Sequence, residues 1–167
     1  MILYHGSNTE IKQINLDVCK PYKDFGRGFY TTENEEQAKK TAKRTARLLG
    51  GKPLVTEFSC NYSDLSKTNI KIFNSPSNDW ALFVINNRNK YFTNIYDLNC
   101  NLDNKYDLVI GPVANDDIRL LFNLFEDNIL TIDELRKRLE YKELSTQISF
   151  HTNKSVNLLV KMKTYSL

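Results

Sequence analysis

Strand signals stand at both ends of this chain with helical signals gathered between them, and that order is what most limits the fold. Met1 to Tyr4 reads as a first strand and Val160 to Tyr165 as a last one. Between them, Phe29 to Thr31, Leu54 to Phe58, Asn69 to Phe73, Tyr106 to Pro112 and Gln147 to His151 are short apolar or β-branched runs bounded by turn residues. The helices do not alternate regularly with these strands. The pattern predicts a mixed α+β domain rather than a doubly wound parallel sheet.

The helices announce themselves by their caps. Thr32-Glu33-Asn34-Glu35 has the T-x-x-E form of a capping box, so a helix is expected directly after the second strand. It runs to about Leu49, with Ala38, Ala42, Ala46 and Leu49 on one stripe and Gly50-Gly51 as its stop. Lys39, Lys40, Lys43, Arg44 and Arg47 crowd its second half, as a solvated face or a phosphate-binding one. Ser77 opens a helix ending near Asn87, in which Trp80 is read as core. Ile118, Leu121, Phe122 and Phe125 share helical spacing, with Asp116 and Asp117 expected to cap that helix. Thr131 to Glu134 forms a second capping box, burying Leu135 and Leu139, and Thr152 is expected to cap a helix through Leu159.

Composition narrows the class. With 167 residues and 41% hydrophobic content, one domain spanning 1–167 can bury an adequate core. No apolar run approaches the roughly 20 residues of a membrane span and no signal peptide is evident, which predicts a cytoplasmic protein without a membrane partner. Cys19, Cys60 and Cys100 are odd in number and far apart, so reduced thiols are expected rather than disulfides. Two histidines, His5 and His151, are too few for an expected metal site. A net charge of +3 is too mild to diagnose a nucleic-acid binder.

The segment DFGRGFYTT, residues 24 to 32, carries the chemistry. Two glycines around Arg27 imply torsions or close approaches that a Cβ forbids, and Tyr30 offers a flat face of large area. His5 is followed by Gly6 and Ser7 where the first strand is expected to end. A lone histidine is most often structural. Taken together, LYHGS at 3 to 7, FGRGFYTT at 25 to 32 and STQISF at 145 to 150 resemble the ADP-ribosyltransferase superfamily. The likeness is to its His-Tyr-Glu branch, which includes diphtheria-type toxins and the poly(ADP-ribose) polymerases. The whole chain, including YDLVIGPVANDD and QISFHT, also resembles an uncharacterised bacterial domain family of that superfamily.

The resemblance implies two small packed β-sheets flanked by helices, with NAD as co-substrate in the cleft between them. It implies a catalytic set of His5, Tyr30 and Gln147 and a binding set of His5, Gly6, Ser7, Arg27, Gly28 and Tyr30. His5 would bond ribose hydroxyls, the Gly6 backbone would pair with the nicotinamide amide supported by Ser7, and Tyr30 would stack on the nicotinamide ring. Gly26 and Gly28 would let the chain approach the dinucleotide, and Arg27 is either a pyrophosphate contact or an exposed residue. Gln147 departs from the family, which has an acidic residue there; an amide accepts and donates hydrogen bonds but is no base. Polymer elongation is therefore not expected.

Ser149 and His151 share the face of Gln147 by the period of two, with His151 either a proton acceptor or a surface or supporting residue. Asp107, Asp116 and Asp117 are the remaining acidic candidates and are not assigned catalysis. The expected function is mono-ADP-ribosyl transfer to a protein or nucleic-acid acceptor, in a bacterial toxin restrained by an antitoxin protein. The rivals are an inactive nucleotide-binding or interaction module of the same fold, and an NAD glycohydrolase.

Overall fold

In the computed structural model, which describes residues 1–140, 142 and 144–167, the chain forms two small sheets with helices on their outer faces. The first sheet has three antiparallel strands in the order β1 (Ile2–Ser7), β3 (Leu54–Ser59) and β7 (Val160–Ser166). The second runs β2 (Phe29–Thr31), β6 (Thr146–Phe150), β5 (Leu108–Pro112) and β4 (Ile70–Ile72). Only β4 and β5 pair in parallel, which requires a crossover, and α3 (Asn78–Arg88) lies in that connection. The α+β class is as expected, and strands do stand at both ends.

Period-two alternation divides the core into layers. Leu3 and Phe58 of the first sheet meet Phe29, Leu108, Ile148 and Phe150 of the second in one apolar cluster between the sheets. On the outer face of the first sheet, α1 (Glu35–Leu49) lays Ala38 and Ala42 on Val55. On the outer face of the second, Val109 and Phe25 pack with Trp80 and Phe83 of α3, with Ile118 and Phe122 of α4 (Asp116–Glu126), and with Leu135 and Leu139 of α5 (Ile132–Leu139). Trp80 is fully buried, and its Nε1 donates to the Pro112 carbonyl at 3.1 Å, so the one tryptophan is core as expected. Among the described residues, no helix is long and apolar enough to cross a membrane.

Several local expectations need correction. The helix cap is Asn34, whose side chain accepts from the Gln37 N–H; Thr32 instead donates its hydroxyl to the Thr146 carbonyl. The buried stripe of α1 is limited to Ala38 and Ala42, and Leu49 is exposed. Asn115, not Asp116 or Asp117, caps α4, and those two occupy its first turn. The helix capped by Thr152 is only α6 (Asn153–Val156). Two short elements had no expected counterpart: a 3₁₀ turn at Leu16–Val18 and α2 (Tyr62–Leu65). The first strand runs on through His5 and Gly6 to Ser7 instead of ending before them, because all three stay paired to β3.

Candidate functional site

Among the described residues one backbone bridge joins the edges of the two sheets, and the site begins where that bridge fails to continue. Tyr4 and Thr32 exchange both backbone hydrogen bonds, at 2.8 and 3.0 Å. In an antiparallel pair, N–H and C=O groups of alternate residues face the same edge, so those of Gly6 also face away from β3. The next pair in this ladder would be Gly6 with Tyr30. Instead the Tyr30 carbonyl accepts from His5 Nδ1 at 2.7 Å, β1 and β2 part, and the Gly6 N–H and C=O face the opening without a partner among the described hydrogen bonds.

Glycine is required at position 6 for a reason the motif alone does not reveal. A Cβ there would collide with the Ala38 carbonyl oxygen and come within 2.8 Å of the Ala42 nitrogen, so α1 can lie this close to β1 only over a glycine. Ser7 is buried and donates its hydroxyl to the Thr9 carbonyl, holding the turn that leaves β1.

The His5 imidazole is defined by its partner. A carbonyl only accepts, so Nδ1 carries the proton and Nε2 presents a lone pair. Burial pushes the His5 pKa below the usual imidazole value, chiefly by desolvation, with the Tyr30 contact opposing, which keeps the ring neutral at pH 7. The ring stacks on Phe29 with centroids 4.3 Å apart, on the face toward the inter-sheet core. Tyr30 follows Phe29 in the strand and points to the opposite face. Its hydroxyl donates to the Gly26 carbonyl at 2.7 Å and accepts from the Phe25 N–H at 3.0 Å, closing residues 25 to 30 into a loop. Burial and the nearby Asp24 raise the phenol pKa well above its ordinary value.

Gln147 lies on the same face as Tyr30, diagonal to it across the β2–β6 pair, in which Tyr30 stands opposite Ser149. Its amide is tied down on the donor side: Nε2 donates to Asp24 Oδ2 at 2.7 Å and to the Pro112 carbonyl at 3.3 Å. The hydrogen bonds of the described residues include none to Oε1. Asp24 is buried and saturated. Arg88 Nε and Nη2 donate to its Oδ1 at 3.0 and 2.6 Å, and the Ala114 N–H donates to Oδ2 at 3.0 Å. Asp24 and Arg88 are the residues sequence reasoning missed. Asp24 opens the DFGRGFYTT segment, where nothing local distinguishes it from a turn residue, and Arg88 looks like any cation in the last turn of a helix.

The glycine loop serves this arrangement from within. Gly26 has a φ of +90°, which favours glycine, while a Cβ on Gly28 would stand 2.7 Å from His151 Nδ1 and 2.8 Å from the Phe150 carbonyl. The close approach expected for a ligand is thus made to the end of β6. His151 is 3% exposed and has both nitrogens occupied, by the Arg27 carbonyl and the Ser149 hydroxyl, each at 2.8 Å. Burial pushes it down to about 4. It braces the loop and has no nitrogen left to take a proton from an acceptor; it is a supporting residue and not a surface one. Arg27 is exposed and donates to the Asp17 carbonyl at 2.8 Å. Asp107 joins β4 to α6, accepting from the Asn69 N–H and the Thr152 hydroxyl, remote in role from Gln147.

The structure therefore brings Gly6, Tyr30 and Gln147 to neighbouring strands around one parting, with His5 bonded to the same backbone from the other face. Cavities open elsewhere on the described surface. One of about 260 Å³ is lined by Thr32 to Asn34 and by Leu144 to Thr146 with Ile148; one of about 430 Å³ is lined by Ser75 to Asp79, Arg136 and Glu140. Neither is lined by His5, Tyr30 or Gln147. Among the described residues, no group of three or more His, Cys, Asp or Glu side chains is placed to hold a metal ion.

No curated protein and no solved structure matches the chain. A family described as "Protein of unknown function (DUF3990)" matches residues 1–160, nearly the whole sequence, and the chain belongs to that DUF3990 family.

Proposed function

We propose that the chain is a mono-ADP-ribosyltransferase that uses NAD and modifies a macromolecular acceptor. The observation that carries this reading is the parting of β1 from β2 at Gly6. A free N–H and a free C=O on one strand edge complement a primary carboxamide, which offers one acceptor and one donor side by side, as nicotinamide does. The lone pairs of His5 Nε2 and Gln147 Oε1 are uncharged acceptors suited to ribose hydroxyls.

NAD supplies a ribose carrying a cationic leaving group: the C1′–N electron pair departs with neutral nicotinamide, an acceptor lone pair forms the new C1′ bond, and the acceptor's proton passes to water. The chain's task is to hold the carboxamide rigidly at Gly6 and to orient the ribose through Gln147. Gln147 is no base, so a single transfer fits the site better than elongation of a polymer.

The test is incubation of the protein with NAD labelled on its adenylate portion, with and without a cell lysate. Label on lysate macromolecules together with released nicotinamide is the expected result. Release without lysate and without transfer assigns a glycohydrolase instead. The burial of Gln147 and the engaged Tyr30 hydroxyl favour a second reading, a binding module of the same fold. Calorimetric binding of NAD that stays intact over long incubation selects it.

A further inference from the structure

The carboxylate that the resemblance expects at position 147 has a counterpart nearby, at Asp24. Its Oδ2 stands 2.7 Å from Gln147 Nε2, across 123 residues of chain. Both amide protons of Gln147 are committed, to Asp24 and to the Pro112 carbonyl, which fixes the flip of the amide and leaves the Oε1 lone pairs as its remaining hydrogen-bonding capacity. Asp24 is itself fixed by Arg88, whose Nη2 also donates to the Ala114 carbonyl at 2.8 Å. A glutamate at 147 would put a second carboxylate against Asp24, and two carboxylates in contact cannot both ionise. Glutamine is thus the residue at 147 that matches an aspartate at 24.

Resting on the transferase reading, we propose that Asp24 is a positioning residue acting through Gln147: it orients the carboxamide and, through the charge-assisted hydrogen bond, polarises its carbonyl toward the ribose. The functional unit is then an acid–amide pair contributed by the glycine loop and β6, replacing one glutamate. A hydrogen bond to an ionised acceptor is stronger than a neutral one, and linked hydrogen bonds strengthen one another. The pairing explains why an uncharged side chain occupies the position where positive charge on the ribose has to be met.

Reversal of the pair tests this. Asp24→Asn and Gln147→Glu are each expected to lower kcat for nicotinamide release by about tenfold or more with KM for NAD little changed, since one loses the charge and the other creates an acid–acid contact. Gln147→Glu should also acquire a pH dependence of its rate that the parent lacks, as the two carboxyls share or lose a proton. The double variant Asp24→Asn/Gln147→Glu restores an acid–amide pair in reverse order. Its kcat should return to within about threefold of the parent and its profile should flatten, well outside additivity.

Urea unfolding of all four proteins reads the same pair without NAD. Coupling in stability together with rescue of kcat supports the proposal. Coupling in stability without rescue overturns it, leaving Asp24 structural and the transferase reading intact. If Asp24→Asn is too unstable to purify, Gln147→Glu alone decides: a pH profile parallel to the parent's overturns the proposal. A parent protein that neither binds nor cleaves NAD overturns the transferase reading first, and this inference with it.

Discussion

Replacing His151 by glutamine should make the protein less sensitive to acid. In the folded chain burial holds His151 down to about 4, with the hydrogen bond to the Arg27 carbonyl opposing. In the unfolded chain the same ring titrates near ~6.5. The unfolded state therefore takes up the proton first, so this group's effect is absent above about pH 6.5 and costs stability progressively as pH falls toward 4. The full gap of about 2.5 units is worth roughly 3 kcal/mol, of which about 2 kcal/mol is already lost at pH 5.

Glutamine can donate to the Arg27 carbonyl and accept from Ser149 without titrating. Urea unfolding at about pH 7.5 and pH 5 should therefore show the parent losing about 2 kcal/mol more on acidification than His151→Gln, at equal m-values. His5, also lowered by burial, titrates in both proteins and cancels. Equal losses in the two proteins would refute the reasoning, because they would mean that His151 gains its proton as easily folded as unfolded.

Two further substitutions separate architecture from chemistry. Gly6→Ala should destabilise by about 2 kcal/mol or more whether or not NAD is present, because the atoms it meets, the Ala38 carbonyl and Ala42 nitrogen, are backbone and cannot rotate away. A thermal midpoint unchanged from the parent would contradict the close seating of α1 on β1. Tyr30→Phe strands the Phe25 N–H and the Gly26 carbonyl, at a cost of about 1–3 kcal/mol, and hydrogen exchange at the Phe25 amide should accelerate in proportion. Unaltered exchange there would show that the phenol does not hold the loop.

Much of the local structure was legible in the sequence because its hydrogen bonds close within a few residues. The Thr131 box appears with both of its reciprocal bonds, Gly50 and Gly51 end α1 with φ of +78° and +88°, and the strand Phe29–Thr31 has the expected bounds. The α+β class followed from the order of such signals. Where a side chain had a choice between a near partner and a distant one, local reading failed. Thr32 offers the same hydroxyl to a capping box or to Thr146, and β6, lying 114 residues away, takes it.

The candidate site divides the same way. His5, Gly6, Tyr30 and Gln147 were found as residue types in a recognisable order, but what each does was decided in three dimensions. Gly6 is required by the approach of α1, Gly28 by the His151 ring, and the Gln147 amide is oriented by Asp24, itself anchored by Arg88 from a helix 64 residues further on. No periodicity encodes such partners. Hydrogen-bond direction and close contact depend on which strands become neighbours, and that is a property of the folded chain rather than of any stretch of it.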